Sequence, residues 1–326
     1  MGEVNDLSCP ICKSHARFRF VFQEYKFFEC GSGSCSHLFV WPTPTLEVLE
    51  QFYDKSESTL ENSGSWTMAS DYELNPIRVH RFYKKTRIDF LNSNGLLKNK
   101  SDKILDMGCS TGMFLRVLHD EGFENLQGHD ISKKQVAYGA KTHLGVEFTH
   151  DLGDLKPGDF DLVTAYAVLE HVDNPNNLMI EINRVLKTGG KCVIDVPNYK
   201  SIYQRLSRDS WLWLIPPAHL QYFNFKSLEQ VCVRNGFVVE KGLTLSTSSY
   251  LFLVVHHVFI KLRKTLPSTT LAGPRLRYFL IGVVEAGLRG ALFPLSFILE
   301  RTKQHNQLIF VVRKTKEVER VDVRTQ

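Results

Sequence analysis

The middle of the chain alternates short apolar runs with segments in which apolar residues recur at helical spacing. Such alternation predicts a parallel sheet with helices on both faces. Right-handed crossovers would bring the carboxyl ends of the strands to one edge, where ligands bind. The predicted strands are KILDMGC (103–109), NLQGHD (125–130), VEFTHD (146–151), DFDLVTAY (159–166) and KCVIDVPN (191–198). The predicted helices are TGMFLRVLHDEG (111–122), SKKQVAYGAKTH (132–143) and PNNLMIEINRVLKTGG (175–190).

The regular alternation ends after Asn198. The aromatic, proline-containing segment at 211–225, WLWLIPPAHLQYFNF, predicts a lid or substrate loop. A helix is predicted at 226–237, and strands follow at 237–246 and 308–314. We therefore expect one core at 101–248, completed by a last strand within 305–326.

An apolar stretch at 249–304 separates the last two predicted strands. One of its runs, at 278–299, has about the length of a membrane span, but Glu285 and Arg289 interrupt it. A single spanning helix is therefore not expected. Two uses stay open for this helical insertion. It covers the sheet edge or a homodimer interface, or it lies on a membrane surface with nearby basic residues at the headgroups.

The N-terminal 45 residues carry two pairs of cysteines, Cys9 with Cys12 and Cys30 with Cys35, separated by 17 residues. The aromatic-rich segment between the pairs, RFRFVFQEYKFFE, predicts a hairpin. Thiolates at this spacing can complete a zinc tetrahedron, as in a zinc ribbon. Four reduced structural cysteines are the alternative. His15 and His37 are expected to be surface residues rather than ligands.

Residues 46–100 form a predicted linker and helical lead-in. A proline turn at 42–44 precedes it, a short helix begins it, and a polar stretch occupies 54–75. The apolar spacing in IRVHRFYKKTRIDFL, at 77–91, predicts a helix that packs on the main sheet.

Composition limits the class of protein. The chain has 326 residues, is 43% hydrophobic and 23% charged, and has a net charge of +5. These values are ordinary for a globular protein. The net positive charge is smaller than that expected of a domain that binds nucleic acid. The N-terminal residues lack a signal-peptide pattern, and clustered cysteines without export favour metal binding in a reducing compartment. We expect a cytoplasmic location, or a peripheral one at the inner face of the membrane.

A glycine turn follows the first strand of the core. Asp106 precedes Gly108 and Gly112, four residues apart, so the G-x-G-x-x-G dinucleotide pattern is incomplete. An acid at this point would repel phosphates and suits a cationic ligand such as S-adenosylmethionine. Asp130, at the end of the next strand, can accept two ribose hydroxyls. Asp151, with Leu152, is expected to meet the adenine amine.

The runs ILDMGCSTGMFL, GHD, DFDLVTAYAVLEHVDNP and VLKTGGKCVIDVPN resemble those of class I S-adenosylmethionine-dependent methyltransferases. The resemblance covers roughly 78–245 and 307–314. It implies an α/β fold with a Rossmann-like, seven-stranded sheet whose last strand is antiparallel. The implied cofactor contacts are Asp106, Gly108, Cys109, Gly112, Asp130, Ile131, Asp151, Leu152, Ala165 and Tyr166.

The N-terminal module resembles the zinc-binding domain that precedes bacterial sugar methyltransferases of polysaccharide biosynthesis. PPAHLQYF, at 216–223, is similar to their histidine-bearing substrate loop. Two departures matter. The second cysteine pair is wider by two residues, and the C-terminal domain of the sugar C-methyltransferases is replaced by the apolar insertion. We therefore expect O-methylation of a saccharide or nucleotide sugar.

Methyl transfer to a hydroxyl benefits from a base, and histidine titrates near working pH. His219 is the first candidate and His171 the second, with Tyr222 assisting. The alternative for each residue is a purely structural role, such as a hydrogen bond within its own loop. The alternatives are a membrane lipid or quinone-type substrate, and a non-catalytic cofactor-binding scaffold. Nucleic acid is not an expected partner.

Overall fold

The computed structural model describes residues 7–45, 47–49, 76–245 and 302–318. The predicted polar stretch at 54–75 and the apolar stretch at 249–300 lie outside the described residues. The described chain forms a seven-stranded sheet flanked by helices and a separate four-stranded sheet.

The large sheet has the predicted α/β topology. Its strand order is β10-β11-β8-β7-β4-β5-β6. β11 runs antiparallel to both of its neighbours, and the other strands are parallel to one another. The prediction of a seven-stranded sheet with an antiparallel last strand is therefore confirmed. The strands are β4 (Ile104–Met107), β5 (Leu126–His129), β6 (Val146–Thr149), β7 (Phe160–Tyr166), β8 (Leu186–Pro197), β10 (Phe237–Leu245) and β11 (Gln307–Lys314).

The helices connect these strands and cover the sheet. Side-chain caps begin four of them, since Ser132, Asn174, Ser201 and Asn224 each accept a hydrogen bond from a backbone N–H in the first turn. The helices are α1 (Pro76–Tyr83), α2 (Asp89–Ser93), α3 (Met113–Asp120), α4 (Lys133–Thr142), α5 (Pro175–Val185), α6 (Ile202–Ser207) and α7 (Phe225–Arg234).

The predicted extent of α5 was wrong at its C-terminal end. The sequence predicted a helix to Gly190, but the helix ends at Val185 and Leu186 begins β8. Leu186 is fully buried and is the strand partner of Phe160. Burial against the sheet therefore stops the helix before the two glycines.

The predicted helix at 77–91 is confirmed, with one irregularity. One π-helical turn, Lys84–Ile88, joins α1 to α2, and the Asp89 N–H donates to the carbonyl oxygen of Lys84. The apolar side chains of Val79, Tyr83, Ile88 and Leu91 pack against one face of the large sheet. Single π turns within helices are frequent at functional sites.

The small sheet is an antiparallel ribbon of order β1-β2-β3-β9. The predicted hairpin is confirmed as its first two strands. The fourth strand comes from the predicted substrate loop and pairs Gln221 with Phe39 and Tyr222 with Leu38. Its strands are β1 (Ala16–Phe22), β2 (Tyr25–Cys30), β3 (Leu38–Val40) and β9 (Gln221–Tyr222). The ribbon is therefore continuous with the loop that carries His219.

Candidate cofactor and acceptor site

The glycine turn after β4 has a conformation that glycine adopts readily. Gly108 and Gly112 have φ values of +74° and +80°. A Cβ atom on Gly108 would lie 2.5 Å from Cγ2 of Val168, and one on Gly112 would lie 2.4 Å from Cζ of Phe148. The N–H groups of Gly108 and Cys109 donate to the carbonyl oxygen of His129, at the end of β5. The turn is therefore fixed to the carboxyl edge of the sheet.

Asp106 is buried immediately before this turn. Its Oδ1 accepts a hydrogen bond of 2.6 Å from Oγ1 of Thr164. Burial raises the pKa of Asp106 to about 6, although the positive charge of Arg87 and the Thr164 hydrogen bond favour the ionised form. At neutral pH this carboxylate is a buried negative charge beside the turn, which suits a cationic ligand.

Asp130 links the glycine turn to the start of α4. Its Oδ2 accepts from the Ser110 N–H over 2.8 Å, and its Oδ1 accepts from the Ser132 N–H over 2.9 Å. A carboxylate has about four acceptor positions, so two remain for the hydroxyls of a ribose. The side chain of Ile131 is 83% exposed and offers an apolar surface to an adenine ring.

Asp151 lies at the end of β6, on the same edge of the sheet. Its Oδ1 accepts from the Gly153 N–H over 2.8 Å and begins a 3₁₀ turn, Leu152–Asp154. Leu152 is half-buried beneath it. Asp106, near the end of β4, and the acids that follow β5 and β6 therefore share one edge of the sheet, as the sequence predicted.

Besides Asp106, three of the predicted cofactor residues have buried side chains. Ala165 is fully buried in the core on the sheet face opposite Asp106. The Tyr166 ring is buried on the face under α1, and Cys109 is buried beside Gly128. The structure thus assigns these side chains to packing, and their contact with a cofactor stays a prediction.

Sequence reasoning missed Arg87, which lies in the π turn. Its guanidinium carbon is 4.2 Å from the ring centroid of Tyr166, 5.0 Å from that of Tyr83 and 5.1 Å from that of Phe114. It also lowers the pKa of Asp106 and of Asp195, which burial raises to about 6 and about 7. In the sequence, KKTR suggests a solvated helix face. The four-residue spacing of Arg87 from Tyr83 was its one local signal.

The acceptor side of the site is formed by the loop after β7. Ala167 has a φ of +56°, which is uncommon for a residue other than glycine. Glu170 and His171 follow in this loop, and the ring of His171 lies 4.7 Å from the ring of His219, centroid to centroid. The structure therefore brings the two predicted catalytic histidines together.

Each histidine directs one nitrogen to the protein backbone. Nδ1 of His171 lies 2.9 Å from the carbonyl oxygen of Ala218, and Nδ1 of His219 lies 3.0 Å from that of Trp213. A carbonyl only accepts, so each Nδ1 carries the proton and each Nε2 carries a lone pair. Burial lowers the pKa of both histidines, that of His219 to about 3, so both imidazoles are neutral at pH 7.

Glu170 was considered in the sequence only as a neighbour of His171. It is 1% exposed, and neither carboxylate oxygen makes a hydrogen bond to another residue that the structure describes. Burial, together with the charge of Asp195, raises its pKa well above the usual range.

Tyr222 is less well placed for chemistry. Its ring lies 6.4 Å from that of His219 and packs on Phe27 and Trp211. Burial raises the pKa of its hydroxyl. The geometry favours a role in packing the loop, while assistance in catalysis stays a prediction.

The predicted substrate loop is tied to both the ribbon and the acceptor loop. The N–H groups of Leu220 and Gln221 donate to the carbonyl oxygen of Glu170 over 2.7 and 3.0 Å. The expectation that His37 is a surface residue was wrong. His37 is fully buried and its Nε2 lies 2.9 Å from Oε1 of Gln221.

The four N-terminal cysteines converge. Sγ of Cys9 lies 3.9 Å from that of Cys35, and Sγ of Cys12 lies 3.4 Å from that of Cys30. All four sulfur atoms lie within 4.8 Å of one another. In a tetrahedral zinc site with bonds of about 2.3 Å the sulfur atoms are about 3.8 Å apart. The donor set and its spacing fit Zn²⁺.

None of the described helices has the length and apolar composition of a membrane span.

Comparison with known proteins decides the family. Residues 78–241 match a family described as a methyltransferase domain, which is half of the chain. The chain belongs to this methyltransferase family. The methyltransferase prediction is therefore confirmed at the level of family and fold.

The relatives carry names from quinone rather than sugar chemistry. A ubiquinone biosynthesis O-methyltransferase of Dechloromonas aromatica is 30% identical over 47% of this chain and 66% of its own length. One from Aromatoleum aromaticum is 25% identical over 56% of this chain and 80% of its own length. The chain thus spans just under two thirds of the first relative.

A solved methyltransferase structure is also similar. The S-adenosylmethionine-dependent methyltransferase of Archaeoglobus fulgidus matches with a TM-score of 0.45 and 18% identity, over 72% of this chain and 98% of that one.

Proposed function

We propose that this protein transfers the methyl group of S-adenosylmethionine to a hydroxyl group of a small-molecule acceptor. One contact carries the proposal. Val168 belongs to the loop of Glu170 and His171, and it closes over Gly108 in the glycine turn. The loop that carries Glu170 and His171 therefore packs against the turn that would hold the methyl donor.

The residues of the cofactor side suit that donor. Asp106 would attract its cationic groups, and Asp130 would accept its ribose hydroxyls. Asp151 and Leu152 would border the adenine. Arg87 has the charge and position to hold the carboxylate of the methionine part, because it lies on the same sheet face as Asp106.

The reaction is an in-line displacement. A C–O bond forms to the acceptor as the S–C bond of the sulfonium breaks, and the sulfur keeps the electron pair as a neutral thioether. The sulfonium is already an activated leaving group, so alignment supplies much of the catalysis. The hydroxyl proton leaves at the edge formed by His171 and His219, where His219 is the first candidate to accept it.

A saccharide or nucleotide sugar is the first acceptor class, because the cysteine module and the loop at 216–223 resemble those of sugar methyltransferases. A quinone-type ring with hydroxyl groups is the second, favoured by the names of the relatives. Purified protein would be given S-adenosylmethionine with nucleotide sugars or with isoprenoid dihydroxybenzenes, and products followed by mass. An ether product in either set supports the proposal and selects the class. Binding of the donor without product in both sets counts against it.

We also propose that Cys9, Cys12, Cys30 and Cys35 bind a structural Zn²⁺. The metal would join the segment before β1 to the end of β2 and the loop between β2 and β3. Metal analysis of the purified protein tests this, since one equivalent of zinc should be lost in Cys12→Ser. The cytoplasmic or membrane-surface location, and a homodimer, stay predictions.

A further inference from the structure

Glu170 presents a physical problem that the proposed function does not solve. A buried carboxylate without hydrogen bonds is costly whether it is charged or neutral. Neither Glu170 oxygen has a hydrogen-bond partner in another residue that the structure describes. Asp195, close enough to raise the pKa of Glu170, adds a second, half-buried acid. Something positive, or a proton donor, is needed at this point.

The neighbours of Glu170 are good metal ligands. One ligand atom each from Glu170, His171 and His219 lies within 4.8 Å of the other two. Metal-binding histidines usually donate their second nitrogen to a carbonyl or carboxylate, which fixes the ring and the tautomer. His171 and His219 both show this arrangement, to Ala218 and Trp213.

We propose that Glu170, His171 and His219 bind a divalent transition-metal ion at the acceptor side of the site. Two imidazoles and one carboxylate form a ligand set of catalytic Zn²⁺ sites, which keep an open position. Two ligands about 2.1 Å from one ion are at most about 4.2 Å apart, so side chains whose ligand atoms already lie within 4.8 Å need at most small rotations to share one ion. His171 is only half-buried, which leaves a side for an acceptor to approach.

The role that we assign to this ion rests on the proposed function, and it adds a means of activating the acceptor. An acceptor hydroxyl that reaches the open position would have its pKa lowered, as water does on zinc. The proton would then pass to solvent, and His219 would act through the ion instead of as a free base. Acceptors that offer two adjacent oxygen atoms are the class that such a site favours.

The four ribbon cysteines are themselves expected to bind a metal ion, so total metal content cannot reveal the second site. The test therefore distinguishes the cysteine site from the Glu170 site by their absorption spectra. The full chain is loaded with one equivalent of Zn²⁺, which thiolates bind preferentially, and is then titrated with Co²⁺. Co²⁺ on thiolates gives intense charge-transfer absorption, whereas Co²⁺ on nitrogen and oxygen gives only weak visible bands. We expect a further equivalent of Co²⁺ with weak bands and no charge transfer.

Variants locate the ion. Glu170→Gln and His219→Gln should each weaken Co²⁺ binding by at least about tenfold. Glu181→Gln is the matched control, because Glu181 is also a buried glutamate but already pairs with Arg184 over 2.9 Å. Binding of S-adenosylmethionine and retention of the ribbon zinc show that each variant is folded.

Each result has a distinct meaning. Absence of the weak bands in the wild type, or unchanged Co²⁺ affinity in folded Glu170→Gln and His219→Gln, overturns the metal site. Methyl transfer that persists when a chelator has left only the ribbon zinc also overturns it, while the proposed function survives. Co²⁺ binding without methyl transfer to any acceptor keeps the metal site and rejects the proposed function.

Discussion

His37 and Gln221, 184 residues apart in the chain, share a buried hydrogen bond of 2.9 Å. Gln221 uses its Nε2 to donate to the carbonyl oxygens of Val172 and Asp173, over 3.1 and 3.0 Å. Its Oε1 is therefore the acceptor, and His37 donates through Nε2. One side chain thus connects the ribbon to the loop that carries Glu170 and His171.

This bridge predicts a positioning role for Gln221. Gln221→Leu would leave a buried N–H and two carbonyls without partners, which costs about 1–3 kcal/mol each where no water replaces them. We expect the turnover number to fall by about tenfold or more as the acceptor loop shifts, while the affinity for S-adenosylmethionine changes little. Kinetics and calorimetry on the same preparation measure the two quantities.

Gln230→Leu is the control for Gln221→Leu. Gln230 also joins the ribbon to the core, because its Nε2 donates to Ser34, but it does not contact the acceptor loop. An equal loss of turnover in both variants would show that general docking of the ribbon, and not Gln221, sets the position of the loop.

Removal of the proposed zinc should loosen β9 before it affects the large sheet. The Nδ2 of Asn224 donates to the carbonyl oxygens of Cys35 and Ser36, over 2.9 and 2.8 Å. A displaced cysteine loop would therefore release the segment that follows Tyr222. We expect chelation to speed amide exchange at 221–222 and to leave that of β5, at the far side of the sheet, unchanged. An equal acceleration of amide exchange at 221–222 and in β5 would contradict this local coupling.

The buried acid Asp106 predicts a pH dependence for cofactor binding. Its pKa is raised to about 6, chiefly by burial, so the empty protein gains this negative charge as pH rises through about 6. A cationic donor prefers the ionised form. Its affinity should therefore increase between pH 5 and pH 7, and binding near pH 6 should release a proton. Calorimetry in two buffers of different ionisation enthalpy measures that proton, which Asp106→Asn should abolish.

The same acid should cost stability at neutral pH. Its folded pKa lies above the value of 3.8 for an unperturbed aspartate, so the folded protein binds more protons between these pH values, and stability falls as pH rises from about 4 to about 6. One pKa unit corresponds to about 1.4 kcal/mol. Asp106→Asn, which can keep the Thr164 hydrogen bond, should raise the free energy of unfolding at pH 7 by on the order of 1–3 kcal/mol. A lower denaturation midpoint for Asp106→Asn than for the wild type at pH 7 would contradict the predicted stabilisation.

Gly112 should not tolerate a side chain, for two reasons that a control can separate. Gly112→Ala would place a Cβ 2.4 Å from the Phe148 ring at a φ of +80°. Gly158 also has a positive φ, +63°, but a Cβ there would meet nothing within 4 Å. Gly158→Ala should cost only the backbone strain, about 1–2 kcal/mol. Gly112→Ala should cost more and should also weaken cofactor binding, as thermal unfolding and calorimetry would show; equal costs would argue against the clash.

Much of the fold could be predicted because its signals are local. The apolar runs from Ile104 to Val196 have strand length, and glycines or caps such as Ser132 separate them from helices. Asp106, Asp130 and Asp151 lie at or just beyond the carboxyl ends of successive strands, so parallel topology alone brings them to one edge. The cysteine spacing likewise predicts a cluster, and the four sulfur atoms do converge.

The missed features depend on contacts between distant parts of the chain. The strand at Gln221 and Tyr222 has only two residues, too few to show the apolar–polar alternation of a strand. Its partners in β3 lie about 180 residues earlier in the chain. His37 looked like a surface histidine because its buried acceptor, Gln221, is equally remote. Glutamate is usually a surface residue, so the sequence gives no sign that Glu170 is buried. It is buried because the loop after β7 packs against the loop that carries His219.

Transfer of a labelled methyl group tests the central claim most directly. Purified protein would receive methyl-labelled S-adenosylmethionine together with fractionated cell extract, beside the Asp106→Asn variant. The account predicts label in one fraction of hydroxyl-bearing small molecules, in an ether linkage, with an equal amount of S-adenosylhomocysteine formed and little of either in the variant. Confirmed cofactor binding with no labelled product in any fraction would contradict it.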